Sequence, residues 1–416
     1  MPASTIEFAE LRRFAEGVVS RLRDSGFEAL FAGGCVRDLL LNRVPKDYDV
    51  ATSARPEQVQ ALFRRTISVG KSFGVIQVRG GGELGVEVAT FRADGEYVDG
   101  RRPQSVRFTD AREDALRRDF TINGMFLDPI DGTVLDFVGG RDDLERGVVR
   151  AIGDPQRRFE EDRLRLLRTV RFAARLGFSI DDATFDAVKR HARELAVVSG
   201  ERILTELRLL MEGPWRAKGV DLLFASNLAK VVFSEAGDAN QAADRVRECV
   251  ARMGRLPEGA PFALCIAVVF DALVEGDPAP IGETFFVRLK GSNEERELCT
   301  WLLRRRSDLK DVAAKPLSFR KRLYADGRWR LLCALGTSRG LSNEVEWCER
   351  ELATLTPEEI DPPPLISGDD LTREGMTPGP QYKIWLDRVR DLQLNGEIAS
   401  KTAALQCVKQ WSKVTP

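Results

Sequence analysis

A pair of glycines followed closely by two aspartates constrains this chain more than any other stretch of it. Gly33 and Gly34 end a short apolar run, and Arg37 lies one helical turn further on. Asp47 and Asp49 then stand two positions apart at the start of a second apolar run. Because side chains in a strand alternate between its two faces, a strand here would place both carboxylates on the same side. The spacing predicts a strand, a glycine loop with a short helix, and an acidic strand.

These residue types suit the binding of a nucleoside triphosphate. Two neighbouring carboxylates repel each other unless a cation lies between them. Mg²⁺ prefers one or two carboxylates together with substrate phosphates, so Asp47 and Asp49 are predicted to be catalytic and metal-ligating. The glycines leave the backbone accessible to a bulky anion. The alternative is a turn followed by an edge strand whose acidic side chains are simply solvated.

The bulk composition limits the partners of the protein. The chain has 416 residues, a length typical of about three domains. Its formal net charge is −1, so contact with RNA has to come from local basic patches. The seven cysteines include no C-x-x-C pair, no signal peptide is evident, and the longest apolar run, 262–270, is too short to span a membrane. These features predict a cytoplasmic protein, and the single histidine, His191, excludes a histidine-rich metal site.

The hydrophobic pattern changes character part-way along the chain. A helix is predicted over 6–22, followed by strands at 28–31, 47–51, 75–78 and 85–91. From Pro155 onward the apolar residues keep helical spacing almost throughout. The predicted fold class is therefore α+β, with a small mixed-sheet head followed by an all-helical remainder.

The motifs GGCVRD and DYD resemble the nucleotidyltransferase signature of the class II tRNA nucleotidyltransferase and bacterial poly(A) polymerase family. The resemblance implies a nucleotidyltransferase head followed by a helical neck, body and tail. In this chain it places the head at 1–146, the base-recognising neck at 147–212, the body at 213–355 and a tRNA-binding tail at 356–416. It also implies that Gly34 and Arg37 hold the triphosphate.

A second motif, RRDFTINGM, resembles the ribose-recognition motif of that family, with Gly124 where relatives often have alanine. An arginine can donate to phosphate or ribose oxygens, and a carboxylate can accept from a ribose hydroxyl. The resemblance therefore assigns Arg118 and Asp119 to the nucleotide. Taken alone, an Arg-Arg-Asp sequence is more typical of a solvated helix end.

A third motif lies in the stretch 157–176, which is predicted to be one helix. On that helix Asp162 and Arg165 fall one turn apart, opposite an apolar side. Cytosine and adenine each present an amino donor beside a ring-nitrogen acceptor, whereas uracil and guanine present the reverse order. A carboxylate that only accepts and a guanidinium that only donates could therefore select C and A. The alternative is a surface ion pair.

The sequence EDRLR at 161–165 matches the E-D-x-x-R motif that serves this family as a protein template for base selection. The resemblance also assigns Arg168 and Arg171 to nucleotide contacts. The stretch SGERILTE at 199–206 resembles the neck motif that supports the template helix, so Glu201 and Arg202 are interpreted as structural.

Three further features are less specific. Glu87 is either a general base or metal ligand beside the acidic strand, or a structural strand acid. The polar loop 92–103 resembles the flexible loop of the family, and its full length favours competence to add A. The locally basic segment 301–330 contains interleaved aromatics, so it either contacts RNA backbone or forms a helical core with a solvated basic face.

Together these features predict an enzyme that adds C, C and A to the 3′ end of tRNA from CTP and ATP, with Mg²⁺ as cofactor and release of pyrophosphate. It is expected to act as a monomer or homodimer without a membrane. The alternatives in the same fold are a bacterial poly(A) polymerase or an enzyme limited to A or CC addition. The alternative of a different class is a non-catalytic RNA-binding protein, against which the intact D-x-D pair argues.

Overall fold

The structure is a computed structural model that describes residues 5–70, 74–82, 84–95, 105–213 and 215–412. The chain divides into two compact units, Met1–Gln241 and Ala242–Pro416. The first contains a sheet and helices, and the second is helical, which confirms the predicted α+β class. Within the described ranges, none of the helices combines the length and the apolar character needed to cross a lipid bilayer.

The strands all belong to the first unit. In chain order they are β1 (Ala29–Ala32), β2 (Asp49–Thr52), β3 (Thr66–Gly70), β4 (Val75–Arg79), β5 (Gly85–Thr90), β6 (Arg92–Asp94), β7 (Val106–Phe108), β8 (Phe126–Leu127), β9 (Val134–Leu135), β10 (Val148–Val149) and β11 (Ser179–Ile180). Seven of them form one sheet in the order β3-β4-β5-β2-β1-β8-β9. The pair β2–β5 is parallel and the other neighbours in this sheet are antiparallel. The strands predicted at 28–31, 47–51, 75–78 and 85–91 correspond to β1, β2, β4 and β5, whereas β3 is a strand of this sheet that was not predicted.

The helices of the first unit surround this sheet and continue beyond it. They are α1 (Thr5–Asp24), α2 (Gly34–Leu40), α3 (Pro56–Leu62), α4 (Ala111–Leu116), α5 (Gly140–Arg146), α6 (Pro155–Glu161), α7 (Leu164–Leu176), α8 (Asp182–His191), α9 (Gly200–Met211), α10 (Arg216–Ala225) and α11 (Ala229–Val232). Short 3₁₀ helices lie at Thr121–Asn123, Ala192–Val197 and Ser234–Gln241. The predicted helix at 6–22 is therefore confirmed as α1.

The second unit contains the remaining helices. They are α12 (Ala243–Gly254), α13 (Phe262–Leu273), α14 (Ala279–Arg288), α15 (Asn293–Arg305), α16 (Leu317–Ala325), α17 (Trp329–Ser338), α18 (Ser342–Leu352), α19 (Pro357–Ile360), α20 (Gly368–Arg373), α21 (Pro380–Leu394) and α22 (Lys401–Ser412), with a 3₁₀ turn at Val312–Ala314. The longest apolar run of the sequence forms α13, which is buried along almost its whole length. This burial explains why the run lacks an amphipathic pattern.

The two faces of the sheet have different roles. Helix α1 packs on the face that carries Phe31 and Val50, and α3 covers the same side of the neighbouring strands. Ala32 and Ala51 belong to a separate core on the opposite face. Because Asp49 is in register with Ala32 and alternates with Val50, its carboxylate lies on that opposite face. The sheet therefore separates this carboxylate from α1.

The acidic strand is shorter than predicted. It begins at Asp49, so Asp47 lies in the bend before β2 and not inside a strand over 47–51. The partner of Asp49 on β1 is Ala32, the last residue of that strand. The chain turns away at Gly33, where φ is 73°. The β1 ladder thus offers no partner for a residue before Asp49.

In the basic segment 301–330 the aromatic side chains belong largely to the core of the second unit. Tyr324 and Trp329 are buried and pack edge to face, with ring centroids 5.0 Å apart. Arg306 lies 3.4 Å from Asp271 and 3.6 Å from Asp277 in two ion pairs. Arg304 is exposed. This segment therefore offers fewer free cations than its composition suggests.

Candidate active site

A cavity of about 460 Å³ lies in the first unit where the glycine loop, the start of β2, the RRD motif and the junction of α6 with α7 meet. Six arginines and three aspartates line it, so its wall is net positive, as a site for a polyanion requires. Eight of the ten residues predicted for the site are among its lining: Gly34, Arg37, Asp49, Arg118, Asp119, Asp162, Arg165 and Arg168. Asp47 and Arg171 are not part of this lining.

The glycine loop has to be glycine for a steric reason. Gly33 adopts a left-handed backbone with φ of 73°, immediately before α2. A Cβ atom at this position would lie 3.1 Å from Nη1 of Arg118 and 3.9 Å from Oδ2 of Asp49. A side chain here would therefore displace the arginine that lies beside the acidic strand.

Arg37 is buried in the last turn of α2 and is held in place by two partners. Its Nη1 donates to Oδ1 of Asn123 at 2.7 Å, and its Nε and Nη2 donate to Oδ1 of Asp38 at 2.9 and 2.8 Å. A guanidinium fixed on both edges is preorganised for an incoming anion. Asn123, which no sequence argument singled out, thus supports a predicted phosphate contact.

Asp119 occupies the centre of a partly buried hydrogen-bond network. Its Oδ2 accepts from Nε and Nη2 of Arg168 at 3.0 and 2.6 Å, and its Oδ1 accepts from Nδ2 of Asn123 at 3.1 Å. Burial alone would raise the pKa of Asp119, but the charge and hydrogen bonds of Arg168 lower that pKa to about 2. The carboxylate is therefore ionised at any physiological pH and can accept a hydrogen bond from a ligand.

The two arginines before Asp119 share one buried anchor at the end of α4. Arg118 donates Nε and Nη2 to Oδ2 of Asp114 at 3.1 and 2.9 Å, and Arg117 donates Nε to Oδ1 of Asp114 at 2.9 Å. Burial raises the pKa of Asp114, but the two guanidiniums outweigh it and lower that pKa overall. The RRD motif is therefore a fixed part of the cavity wall, in contrast to the solvated helix end that is typical of such a sequence.

Asp49 lies in an environment that penalises its charge. Burial, followed by the charges of Asp47 and Glu87, raises the pKa of Asp49 to about 6, while Arg118 acts in the opposite direction. Glu87 is the register partner of Asp49 on β5, so both side chains are on one face. Asp47 is exposed beside them. Negative charge gathered around Asp49 favours a divalent cation there, although within the described residues these carboxylates do not form a three-ligand metal site.

The motif predicted to select the base does not have the continuous helical structure that was expected. The stretch 157–176 is interrupted at Asp162, which has φ of −146° and ψ of 106° and lies between α6 and α7. Oδ1 of Asp162 accepts from the backbone N–H of Leu164, two residues further on, at 3.0 Å. Because the backbone of Asp162 is extended, α6 and α7 are not one continuous helix. Nη1 of Arg165 donates to Oε2 of Glu161 at 2.6 Å. Asp162 and Arg165 both line the cavity, but each is bonded to a third residue.

Comparisons with known proteins agree with this geometry. A family described as the poly A polymerase head domain matches residues 29–150, and one described as a probable RNA and SrmB-binding site of polymerase A matches residues 177–239. The structure resembles that of the Bacillus stearothermophilus CCA-adding enzyme in complex with CTP, with a TM-score of 0.79 and 29% identity over 97% of this chain and 99% of that one.

Two curated sequences set the extent of the relationship. The CCA-adding enzyme of Geobacillus stearothermophilus is 42% identical over 228 residues, a match that spans only about half of each protein, 55% of this chain and 56% of that one. The CCA-adding enzyme of Pediococcus pentosaceus is 32% identical over 396 residues, which are 94% of this chain and 96% of that one. This chain belongs to the CCA-adding enzyme family. The resemblance inferred from GGCVRD and DYD is confirmed.

Arg202 and Phe172 of this CCA-adding enzyme family member are among the cavity-lining residues that were not predicted for the site. Nη2 of Arg202, from α9, donates to Oδ2 and Oδ1 of Asp162 at 2.9 and 3.2 Å and lines the cavity. Phe172 lines it as well, and its ring lies under the guanidinium carbons of Arg37, Arg168 and Arg171 at 5.4, 5.3 and 4.0 Å. The arginine spacing along α7 predicted a charged face, but a phenylalanine at its centre has no signature in a single sequence.

Arg171 takes a different position from the other predicted arginines. It is buried and its Nε donates to Oε2 of Glu206 on α9. Burial lowers the pKa of Arg171, and Glu206 partly offsets this effect. The predicted loop 92–103 begins as β6, which pairs with β7, while 96–103 lies outside the described residues.

Proposed function

We propose that this protein adds C, C and A to the 3′ end of tRNA, using CTP and ATP and releasing pyrophosphate. The observation that carries the proposal is the single cavity in which the glycine loop, Asp49, the RRD motif and the Asp162 junction meet. A nucleoside triphosphate needs contacts to phosphates, ribose and base at once, and each of these parts has a chemically suitable group in this lining. The relative from Bacillus stearothermophilus forms a complex with CTP.

Each group in the cavity has a role that follows from its hydrogen-bonding capacity. The loop at Gly34 and the guanidinium of Arg37 hold the triphosphate, because the guanidinium donates only and is fixed by Asn123. Arg118 and Asp119 hold the ribose, with the ionised Asp119 accepting from a hydroxyl. Arg168, bonded to Asp119, orients that carboxylate. We propose that Arg171 contributes to nucleotide binding indirectly, because its guanidinium packs on the ring of Phe172, which lines the cavity.

Asp162 and Arg165 select the base in this proposal. Asp162 accepts from the amino group of C or A, and Arg165 donates to the adjacent ring nitrogen. Arg202 donates to Asp162 and Arg165 donates to Glu161, and these bonds orient both side chains at the wall of the cavity. Uracil and guanine would place a donor against the guanidinium and an acceptor against the carboxylate, which leaves buried polar groups unpaired.

The residues around Asp49 fit a divalent cation. Nucleotidyltransferases generally use such ions, and we propose Mg²⁺ held by Asp47 and Asp49. In the described part of the chain no group of three or more metal-ligating side chains is present, so these carboxylates would act together with substrate phosphates, as Mg²⁺ sites commonly do. The ion supplies charge neutralisation at the phosphates and a lowered pKa of the attacking hydroxyl. We assign Glu87 to tuning the charge of Asp49.

The organisation of the whole chain follows the same proposal. We assign the head to 1–146, the neck to 147–212, the body to 213–355 and the tail, which binds tRNA, to 356–416. A cytoplasmic monomer or homodimer is the state in which we expect it to act. These assignments set the partners to be tested: the 3′ end of tRNA, CTP and ATP.

The product of the reaction tests the proposal directly. A tRNA transcript that ends before C-C-A is incubated with CTP, ATP and Mg²⁺, and the 3′ end is sequenced. We expect three added nucleotides and then arrest. A long A tract on an unstructured RNA with ATP alone would instead identify a poly(A) polymerase. Addition of A only, or of C-C only, would identify a specialised enzyme, and absence of any incorporation would leave the non-catalytic RNA-binding alternative.

A further inference from the structure

A second cavity of the first unit, of about 760 Å³, has a strongly basic lining that the proposed reaction does not use. Five arginines line it: Arg13, Arg21, Arg64, Arg65 and Arg79. All five are exposed, and the lining contains no aspartate or glutamate. Among the described residues, none of the five forms an ion pair, although ion pairs are frequent elsewhere on this surface. We call this feature the arginine cavity.

The floor of the arginine cavity is apolar. Phe14 and Val18 from α1 and Phe63 after α3 contribute to it, and the guanidinium of Arg21 lies 5.3 Å from the Phe63 ring. Gly17 lies between them on α1, and a Cβ atom there would meet no atom within 4 Å, so the glycine opens the space. Cations above aromatic and aliphatic surface are the combination that tracks a nucleic-acid backbone while nucleosides pack below it.

The arginine cavity and Asp49 lie at the same end of the sheet. On β4, Arg79 is in register with Gly85, two residues before Glu87, which is the partner of Asp49 on β2. Two strands and two residues therefore separate Arg79 from Asp49, which corresponds to about 12 Å between their Cα atoms. The two nevertheless lie on opposite faces, because residues of α1 and Val78 line the cavity, whereas the Asp49 carboxylate is on the face away from α1. A strand that contacts both would have to pass around the end of the sheet.

We propose that the arginine cavity binds the phosphate backbone of tRNA, on the α1 face of the sheet and therefore outside the candidate active site. This inference rests on the proposed function, because it takes tRNA as the substrate. RNA is favoured over a small anion because five uncompensated guanidiniums around one cavity need several phosphates spread over its length. The cavity thereby adds an RNA contact within the head, separate from the predicted tail.

The test compares two variants with a control on the same helix. Arg13→Gln together with Arg21→Gln removes two cations, and Gly17→Leu fills the open space without changing charge. Leucine is a better helix former than glycine, so the second variant retains α1. Arg12→Gln is the matched control, because Arg12 is paired with Glu16 at 2.8 Å and does not line the cavity. Thermal melting is used to check that all three variants fold.

Affinity for a tRNA transcript lacking C-C-A is measured by filter binding over a series of KCl concentrations, and CTP affinity is measured separately. We expect the arginine double variant to bind tRNA roughly 10-fold more weakly, with a log–log salt slope smaller by about 2. Gly17→Leu should weaken tRNA binding without changing the log–log salt slope, because it removes no cation. Arg12→Gln should match wild type, and CTP affinity should be unchanged throughout.

Three other outcomes would overturn the inference. Wild-type tRNA affinity and slope in both variants, with extension of tRNA intact, would refute the arginine cavity alone and leave the proposed function standing. Unchanged tRNA binding with lost binding of inorganic tripolyphosphate would identify a small-anion site instead. If wild type neither binds nor extends tRNA, the proposed function fails first and this inference fails with it.

Discussion

Nη2 of Arg202 donates hydrogen bonds to both carboxylate oxygens of Asp162, at 2.9 Å to Oδ2 and 3.2 Å to Oδ1. These bonds connect helix α9 to the interruption between α6 and α7. Asp162 has no helical turn to fix it, since its backbone is extended. Its orientation therefore depends on two bonds, the one from Arg202 and the one from the N–H of Leu164. A residue interpreted as structural from its motif thus contacts the candidate base-selecting group directly.

Removing each partner of this pair should have a different effect on base choice. Asp162→Ala deletes the acceptor for the amino group, so discrimination against UTP and GTP should fall by one to two orders of magnitude, a loss of about 1–3 kcal/mol. Arg202→Ala should lower the rate with all nucleotides and relax selectivity less. Relative incorporation of the four nucleotides measures both effects. Rejection of UTP and GTP at the wild-type ratio in Asp162→Ala would refute the template role.

Loss of the proposed metal-binding carboxylates should stop the reaction while the protein still binds tRNA. Asp49→Ala or Asp47→Ala removes charge that stabilises phosphoryl transfer by several kcal/mol, so incorporation should fall at least 10³-fold. Single-turnover incorporation and tRNA binding are measured side by side. Glu87→Gln is the matched comparison, with an expected loss below about 10-fold because it only tunes Asp49. Turnover near that of wild type in Asp49→Ala would remove Asp49 from the metal site.

The raised pKa of Asp49 predicts how stability depends on pH when no divalent ion is present. The pKa rises from 3.8 to about 6, so the folded protein binds this proton more tightly than the unfolded chain does. The protonated carboxyl therefore favours folding at low pH, and that advantage is lost as the pH rises from about 4 through 6. Asp49→Asn should unfold like wild type near pH 4 but be about 3 kcal/mol more stable at pH 8 in chelator. Urea denaturation measures the difference.

Mg²⁺ provides the control for that experiment. An ion bound by the ionised carboxylates stabilises the folded state by mass action, so it should raise the stability of wild type at pH 8 and leave Asp49→Asn nearly unchanged. Equal stabilisation of both proteins would place the ion elsewhere. Equal stability of the two proteins at pH 8 in chelator would contradict the electrostatic penalty at Asp49.

Glu206 should matter for stability more than for nucleotide binding. Its carboxylate is buried between Arg171, which donates Nε to it, and Arg168, 3.5 Å away. Glu206→Ala leaves Arg171 buried without its partner, which should cost about 3–5 kcal/mol in the free energy of unfolding. Thr205→Ala, next to it on the exposed side of α9, is the matched control and should cost less than about 1 kcal/mol. Arg171→Leu in a Glu206→Leu background should recover part of the loss.

The sequence predicted most of the site because its chemistry is concentrated in contiguous motifs. The glycine pair, the RRD motif and the EDRLR stretch each carry their residues within a few positions, and the fold brings their cavity-lining members together. Contacts between segments that are distant in the sequence could not be predicted in this way. Asn123 supports Arg37 across 86 positions, and Arg202 reaches Asp162 across 40. The interruption at Asp162 was missed because the apolar spacing of α7 extends into α6 without a glycine or proline between them.

The prediction of the fold succeeded for a similar reason and was wrong at a similar point. Alternating and helical periodicities indicated the sheet and the helical remainder, since they report which face of each element is buried. The true start of β2 depends on where its neighbour β1 ends, and no local pattern contains that information. Asp47 was therefore assigned to a strand that begins only at Asp49.

The ring of Phe172 has a consequence for anyone who alters this protein. Three guanidinium groups from α2 and α7 lie over it, although the ring itself has no hydrogen-bonding group to offer a substrate. Libraries that diversify the proposed base-selecting positions should keep phenylalanine at 172, since its loss would shift three arginines together and could not be repaired by a single second-site change. Mutational scans of the cavity should accordingly show epistasis centred on a residue that makes no polar contact.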